Sequence, residues 1–93
     1  MIATYMLLCA DGTYYVGSTR NLEHRLIQHA SGTEESYTSK RLPIKLVWYQ
    51  EAEHIGLAYE LEKKLQGWGR AKREALIKGE FDRLPALSRK WDE

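Results

Sequence analysis

The chain has 93 residues, with 14 Lys or Arg against 13 Asp or Glu and a net charge of +1. This length supports one hydrophobic core and excludes a second independent domain, so we expect a single domain over residues 1–93, with a core at about 3–78 and an irregular tail at 79–93. The charge is balanced, so the composition by itself gives no evidence that the protein binds nucleic acid. No apolar run reaches the roughly 20 residues of a membrane span, and no basic segment leads the N-terminus, so we expect a cytoplasmic protein that does not act at a membrane.

The N-terminal segment predicts a β-hairpin. Residues 3–9 are apolar and favour a strand, and residues 14–18 favour its partner. A three-residue loop with Gly12 in the left-handed conformation would fix a register in which two tyrosines share one face of the sheet. The paired positions in that register are Tyr5 with Gly17 and Leu7 with Tyr15. A two-residue loop would shift the register by one and send the tyrosines to opposite faces.

A helix is predicted after the hairpin. Asn21 is a suitable N-cap, and Gly32 is a suitable stop about ten residues later. The residues expected to form its buried stripe are Leu22, Leu26 and Ala30. Arg25 and His29 are four residues apart, so they lie together at the edge of that stripe. Their side chains can therefore point at a common site.

The remainder of the chain predicts one more strand and two more helices. After a polar loop, residues 44–49 favour a third strand. Apolar residues at helical spacing predict a helix from about residue 55, and Gly67 and Gly69 separate it from another helix at about 70–78. The element order predicts an α/β (α+β) domain, in which a small three-stranded mixed or antiparallel sheet is flanked by three helices.

A basic run in the predicted C-terminal helices offers a contact for phosphates. Six Lys or Arg residues stand between positions 63 and 78, with Glu74 as the acidic residue among them. They are Lys63, Lys64, Arg70, Lys72, Arg73 and Lys78. Trp68 lies within the same run and could stack on a base. A solvated helical face explains the charges equally well, because Lys and Arg are mostly exposed in any protein.

A set of polar and aromatic residues carries a resemblance to a known family. It consists of a tyrosine in the first strand, a Tyr-Val-Gly triplet in the second, an arginine and a histidine on the following helix, and a glutamate on a later helix. Its members are Tyr5, Tyr15, Gly17, Arg25, His29 and Glu62. This pattern resembles the GIY-YIG nuclease superfamily, and residues 25–32, 41–43 and 67–77 are similar to its small single-domain bacterial members. The first triplet, Ala3-Thr4-Tyr5, keeps the tyrosine alone.

The resemblance implies a metal-dependent endonuclease that hydrolyses phosphodiester bonds in nucleic acid. DNA is the expected substrate, recognised by its structure more than its sequence, as in DNA repair or processing. The implied cofactor is one Mg2+ or Mn2+ ion held by Glu62, with Glu60 as the rival ligand. Since the chain is expected to form one domain, specificity would come from that domain, from a homodimer or from a protein partner.

The same resemblance implies a role for each residue near the reacting phosphate. Tyr5 would be the general base or its relay, and Tyr15 would position the water or a phosphate oxygen. Arg25 would contact the scissile phosphate, and His29 would bind phosphate or pass a proton. Gly17 would leave space for a phosphate on the sheet face. Because tyrosine ordinarily ionises at about pH 10, the base role requires a nearby positive charge that lowers its pKa.

Two other interpretations of the sequence stay open. The first is a non-catalytic nucleic-acid-binding module that uses the basic run and Trp68. The second is a protein-interaction domain whose aromatic anchors would be Trp48, Trp68 and Trp91. Ionic strength separates the two, because phosphate binding weakens steeply as salt rises whereas an apolar protein interface does not.

Overall fold

The structure, a computed structural model, describes residues 1–31 and 40–80. The elements in these residues are β1 (Ala3–Cys9), β2 (Tyr14–Thr19), α1 (Leu22–Ser31), β3 (Ile44–Glu51), α2 (Ile55–Gln66) and α3 (Arg70–Ile77). The predicted order of strands and helices is confirmed. The helix stop expected at Gly32, most of the polar loop after it, and residues 81–93 of the expected tail lie outside the described residues.

The three strands form one sheet in the order β2-β1-β3. Both strand pairs are antiparallel, so the sheet predicted as mixed or antiparallel is antiparallel. β1 is the central strand and is covered on both faces, which explains why almost every residue of it is buried. β2 and β3 are the two edges of the sheet. β2 carries Tyr15, Gly17 and Ser18.

The hairpin between β1 and β2 has the predicted three-residue turn. Gly12 has a φ of 84°, and the Cys9 amide donates a hydrogen bond of 2.9 Å to the carbonyl of Thr13. The register pairs Tyr5 with Gly17 and Leu7 with Tyr15, as predicted. The turn is fixed by the Asp11 carboxylate, which accepts hydrogen bonds from the Thr13 amide and hydroxyl at 3.0 and 2.6 Å.

Helices cover both faces of the sheet. One face of β1 packs against α1 in a buried cluster formed by Ala3, Tyr5, Leu7 and Leu22. The other face packs against α2 in a cluster formed by Met6, Val16 and Leu65. Met6, Leu7 and Leu65 are fully buried, and such side chains contribute roughly 1.5–3 kcal/mol each. On the α2 side, the buried hydroxyl of Thr4 also donates a hydrogen bond of 2.7 Å to the Ala58 carbonyl.

α1 begins as predicted but is rotated from the predicted orientation. The Asn21 side chain caps it by accepting a hydrogen bond of 3.1 Å from the His24 amide. Leu22 and His29 are its buried residues, whereas Ala30 is exposed. The prediction that Ala30 belongs to the buried stripe is therefore wrong. The physical reason is that His29 faces the Tyr5 hydroxyl on the sheet. His29 lies seven residues after Leu22, so both are on the same side of the helix.

The two C-terminal helices are short and meet at the predicted glycines. α2 ends at Gln66, with Gly67 as its C-cap; the Gly67 amide donates to the Lys64 carbonyl at 3.2 Å, and α3 begins after Gly69. α2 has 12 residues, which span about 18 Å at 1.5 Å per residue. Within residues 1–31 and 40–80, no helix is long and apolar enough to cross a membrane.

We expect Gly17→Ala to destabilise the fold. A Cβ at Gly17 would lie 2.6 Å from the Tyr5 hydroxyl oxygen and 3.0 Å from a ring carbon of Tyr15. Such overpacking costs about 1–3 kcal/mol, which thermal or urea unfolding would measure. The matched control is Gly67→Ala, where a Cβ meets only the Lys64 carbonyl at 3.5 Å and stability should stay within about 1 kcal/mol of wild type. Equal stability of the two variants would contradict this packing.

Candidate active site

The α1 side of the sheet carries a cluster of two tyrosines and a histidine. The hydroxyl oxygen of Tyr5 and Nε2 of His29 are 2.8 Å apart. The ring centroid of Tyr15 lies 5.2 Å from that of His29 and 6.2 Å from that of Tyr5. His29 is 4% exposed and Tyr5 1%. The predicted register and the 3.6-residue period of α1 thus bring all three side chains together.

Arg25 joins this cluster from one turn earlier in α1. Its guanidinium donates a hydrogen bond of 3.1 Å to the Gln28 side chain and lies close enough to the Tyr5 hydroxyl to lower the pKa of that group. Arg25 is half-buried. The structure therefore brings Arg25 and His29 together beside the Tyr5 hydroxyl.

The phenol of Tyr5 is a weaker acid than an ordinary tyrosine. Burial raises its pKa to about 12, although the hydrogen bond from Arg25 acts in the opposite direction. The charge that the base role was expected to require is therefore present, but its effect is smaller than that of burial. At neutral pH the hydroxyl of Tyr5 carries its proton.

The expected space beside Gly17 is filled. The phenol ring of Tyr5 lies over Gly17, with its hydroxyl oxygen 2.6 Å from the position that a Cβ would occupy. The prediction that Gly17 leaves room for a phosphate on this face is wrong for that reason. Its missing side chain instead accommodates Tyr5.

Glu62 lies across β2 from the tyrosine cluster. Successive residues of a strand face opposite sides, so Ser18 points toward α2 while Gly17 faces Tyr5. The Ser18 hydroxyl donates a hydrogen bond of 2.6 Å to Oε1 of Glu62, and the Gln66 amide donates one of 3.0 Å to Oε2. Glu62 is half-buried. The rival residue Glu60 is exposed and makes no such bonds in the described part of the chain.

The donor set around Glu62 fits a hard cation that keeps most of its water. Among the described residues, no group of three or more His, Cys, Asp or Glu gathers to form a complete ligand cage. Mg2+ is commonly held by one or two carboxylates and several waters. Each oxygen of Glu62 accepts one hydrogen bond in the structure, which leaves further lone pairs on both oxygens for a ligand.

A pocket follows the exposed edge of β2. Its volume is about 280 Å3, and its lining residues are Tyr14, Tyr15, Val16, Gln66 and Arg73. Tyr15 belongs to the tyrosine cluster and Gln66 is bonded to Glu62. The pocket therefore touches the tyrosine cluster through Tyr15 and is one hydrogen bond away from Glu62.

Three of the six basic residues of the run, Arg70, Lys72 and Arg73, are engaged in structural contacts. Arg70 donates a hydrogen bond of 2.7 Å to the Gly12 carbonyl and lies 3.6 Å from the Glu74 carboxylate. Arg73 donates to the carbonyls of Leu65 and Gln66 at the end of α2, at 3.2 and 3.3 Å. These two arginines connect α3 to the hairpin and to α2, an arrangement that the charge pattern did not predict.

Lys72 differs most from its predicted role. Lys72 is 8% exposed, and its ammonium lies 4.3 Å from the centroid of the Trp68 ring. Trp68 is half-buried against the cluster around Leu65. The prediction that Lys72 presents a charge to phosphates is wrong, because its ammonium lies on the Trp68 ring. Stacking of Trp68 on a base stays a prediction. Lys63 and Lys64 are exposed, as predicted.

Ser18 and Gln66 were not predicted to be site residues. Their positions in the sequence do indicate contact with the site. Gln66 is one helical turn after Glu62, a spacing at which side chains meet. Ser18 directly follows the second triplet, so the alternation that turns Gly17 toward Tyr5 turns Ser18 toward the other face.

Proteins of the UPF0213 group are similar to this chain. One from Natronomonas pharaonis is 37% identical over 76 residues, which cover 82% of this chain and 89% of that protein. One from Streptococcus pneumoniae is 37% identical over 79 residues, or 85% of this chain and 80% of that protein.

Two solved structures are also similar to this chain. The NMR structure of a UPF0213 protein from Bacillus halodurans is 32% identical and gives a TM-score of 0.55 over 83% of this chain and 82% of that chain. The NMR structure of a protein from E. faecalis is 33% identical and gives 0.57 over 84% and 83%. The family model described as the GIY-YIG catalytic domain matches residues 1–75. The chain therefore belongs to the GIY-YIG domain family, a nuclease superfamily, and its relatives are the small UPF0213 proteins.

Proposed function

We propose that this protein is a metal-dependent endonuclease that hydrolyses phosphodiester bonds in nucleic acid, with DNA as the expected substrate and the cytoplasm as the place of action. The observation that carries the proposal is the arrangement around β2. The tyrosine cluster with Arg25 lies on one side of this strand and Glu62 lies on the other. The pocket along the edge of the strand is lined by Tyr15 of the cluster and by Gln66, which is hydrogen-bonded to Glu62.

The residues match the needs of phosphodiester hydrolysis. The reaction requires removal of a proton from the attacking water, stabilisation of charge on the phosphate, and stabilisation of the departing oxygen. Arg25 would bind two phosphate oxygens, because its planar guanidinium matches their geometry. Tyr15 would orient the water or a phosphate oxygen from beside Tyr5.

The buried phenol suits a relay better than a base. Tyr5 would take a proton from the attacking water while it gives its own proton to Nε2 of His29, 2.8 Å away. This transfer requires the tautomer of His29 that carries its proton on Nδ1. Histidine is a natural acceptor, since the ring nitrogen that carries no proton has a free lone pair. The hydroxide formed then attacks phosphorus as the bond to the leaving oxygen breaks.

Glu62 is the residue that would hold the divalent ion. When bound, Mg2+ or Mn2+ would supply positive charge to the phosphate and the departing oxygen. The exposed Lys63 and Lys64 directly follow Glu62 in α2, so they would add positive charge near it from neighbouring faces of the helix. Contacts of this kind recognise the backbone and its shape.

The first prediction concerns cleavage. We expect the wild type to cut at least one member of a panel of labelled single-stranded, duplex, flapped and branched DNA and RNA in Mg2+ or Mn2+. Tyr5→Phe, Arg25→Ala and Glu62→Ala should each lower the rate by about 10²- to 10⁴-fold, because each removes one of the groups assigned above.

Matched controls come from exposed residues of the same types. Tyr59→Phe, Arg20→Ala and Glu60→Ala change side chains that lie at the surface and should keep the wild-type rate. Equal loss in variants and controls, or cleavage by the three site variants at the wild-type rate, would refute the assignment. Salt-sensitive binding without any cleavage would instead support the non-catalytic module.

A second prediction follows from the protonated phenol. The pKa of Tyr5 is about 12 in the folded protein and about 10 when unfolded. The Tyr5 contribution to the free energy of unfolding is thus fully present below pH 10. It falls between pH 10 and 12, by about 3 kcal/mol, because the unfolded chain ionises first. Urea unfolding across this range measures the fall. The fall in the free energy of unfolding that comes from Tyr5 should be absent in Tyr5→Phe and present in Tyr59→Phe. If Tyr5→Phe and wild type have the same dependence on pH, burial does not raise the pKa of Tyr5.

A further inference from the structure

The carboxylate of Glu62 is oriented from two directions. The Ser18 hydroxyl reaches Oε1 from the sheet at 2.6 Å, and the Gln66 amide reaches Oε2 from the next turn of α2 at 3.0 Å. Hydrogen bonds from neutral donors to a carboxylate are strong because the acceptor is charged. With one donor on each oxygen, the plane of the carboxylate is fixed in direction, while lone pairs remain on both oxygens.

The Ser18 hydroxyl is not needed to attach α2 to the sheet. Thr4 is the partner of Ser18 in the register of β1 and β2, and its buried hydroxyl already donates to the Ala58 carbonyl at 2.7 Å. Met6 and Leu65 add apolar packing between the same elements. Two neighbouring hydroxyls thus point from the sheet to α2, but one meets a helix carbonyl and the other meets the carboxylate of the site.

We propose that Ser18 and Gln66 are positioning residues that hold the Glu62 carboxylate in the orientation in which it binds a divalent cation. The inference rests on the proposed function, because it assigns Glu62 to the cation. Fixing the side chain in advance removes the loss of rotamer freedom that binding would otherwise require. Residues that orient a ligand in this way commonly contribute a factor of about 10 to 100 in metal affinity.

The test is a titration of the protein with Mn2+ alone, followed by paramagnetic broadening of backbone amide signals. In the wild type, broadening should centre on Glu62. Ser18→Ala should raise the Mn2+ concentration for half-maximal broadening by about 10- to 100-fold, and Ser18→Thr, which keeps the hydroxyl, should stay within about 2-fold of wild type. Gln66→Ala, at an exposed position, should raise it in the same direction without loss of folding.

Thr4→Val is the matched control for a purely structural role. It removes the neighbouring hydroxyl, so it should lower the thermal midpoint and leave the Mn2+ titration unchanged. If Ser18→Ala and Gln66→Ala titrate like wild type while Glu62→Gln abolishes broadening, the positioning role is overturned and the cation site stands. If Glu62→Gln also titrates like wild type, or the wild type shows no broadening near Glu62, the cation assignment fails and the positioning role fails with it.

Discussion

The buried hydroxyl of Tyr5 is the constraint on which the arrangement of the site depends. A phenol oxygen removed from water needs hydrogen-bond partners, and leaving it without them would cost roughly 1–3 kcal/mol. α1 provides such a partner, since His29 Nε2 lies 2.8 Å from the oxygen, and Arg25 on the same helix lowers the pKa of the phenol. The orientation of α1 follows, with His29 facing the sheet and Ala30 facing solvent. The ring also requires a neighbour without a side chain on β2, and Gly17 meets that requirement.

The edge strand β2 divides the site into two electrostatic halves. On one side are Arg25 and the protonated phenol, and on the other is the Glu62 carboxylate held by Ser18. A carboxylate beside the phenol would raise its pKa further and would compete with phosphate for the guanidinium. Placing the two charges on opposite faces of one strand avoids both effects. A single extended segment can do this because its side chains alternate between faces.

The sequence predicted local structure well because local rules decide it. Gly12 and the spacing of the tyrosines fix the hairpin register, and Asn21 fixes the start of α1. The orientation of α1 about its own axis could not be predicted, because periodicity tells which residues share a face but not which face meets the sheet. Charge patterns likewise do not name partners, so the burial of Lys72 against Trp68 was missed. The bond from Ser18 to a residue 44 positions away depends on how α2 packs, which no local pattern contains.

The use of basic side chains to hold α3 has a consequence for how nucleic acid would be retained. Arg73 bonds to backbone carbonyls and Lys72 lies under an indole, so the exposed cations of the basic run are Lys63, Lys64, Lys78 and Arg70, and Arg70 already donates to the Gly12 carbonyl. Each phosphate that a protein neutralises releases about one condensed counterion, and this release drives affinity for the backbone. A domain that displaces few counterions dissociates quickly from ordinary stretches of nucleic acid. It would sample many positions in a short time and remain where the shape of the strand fits the edge of β2.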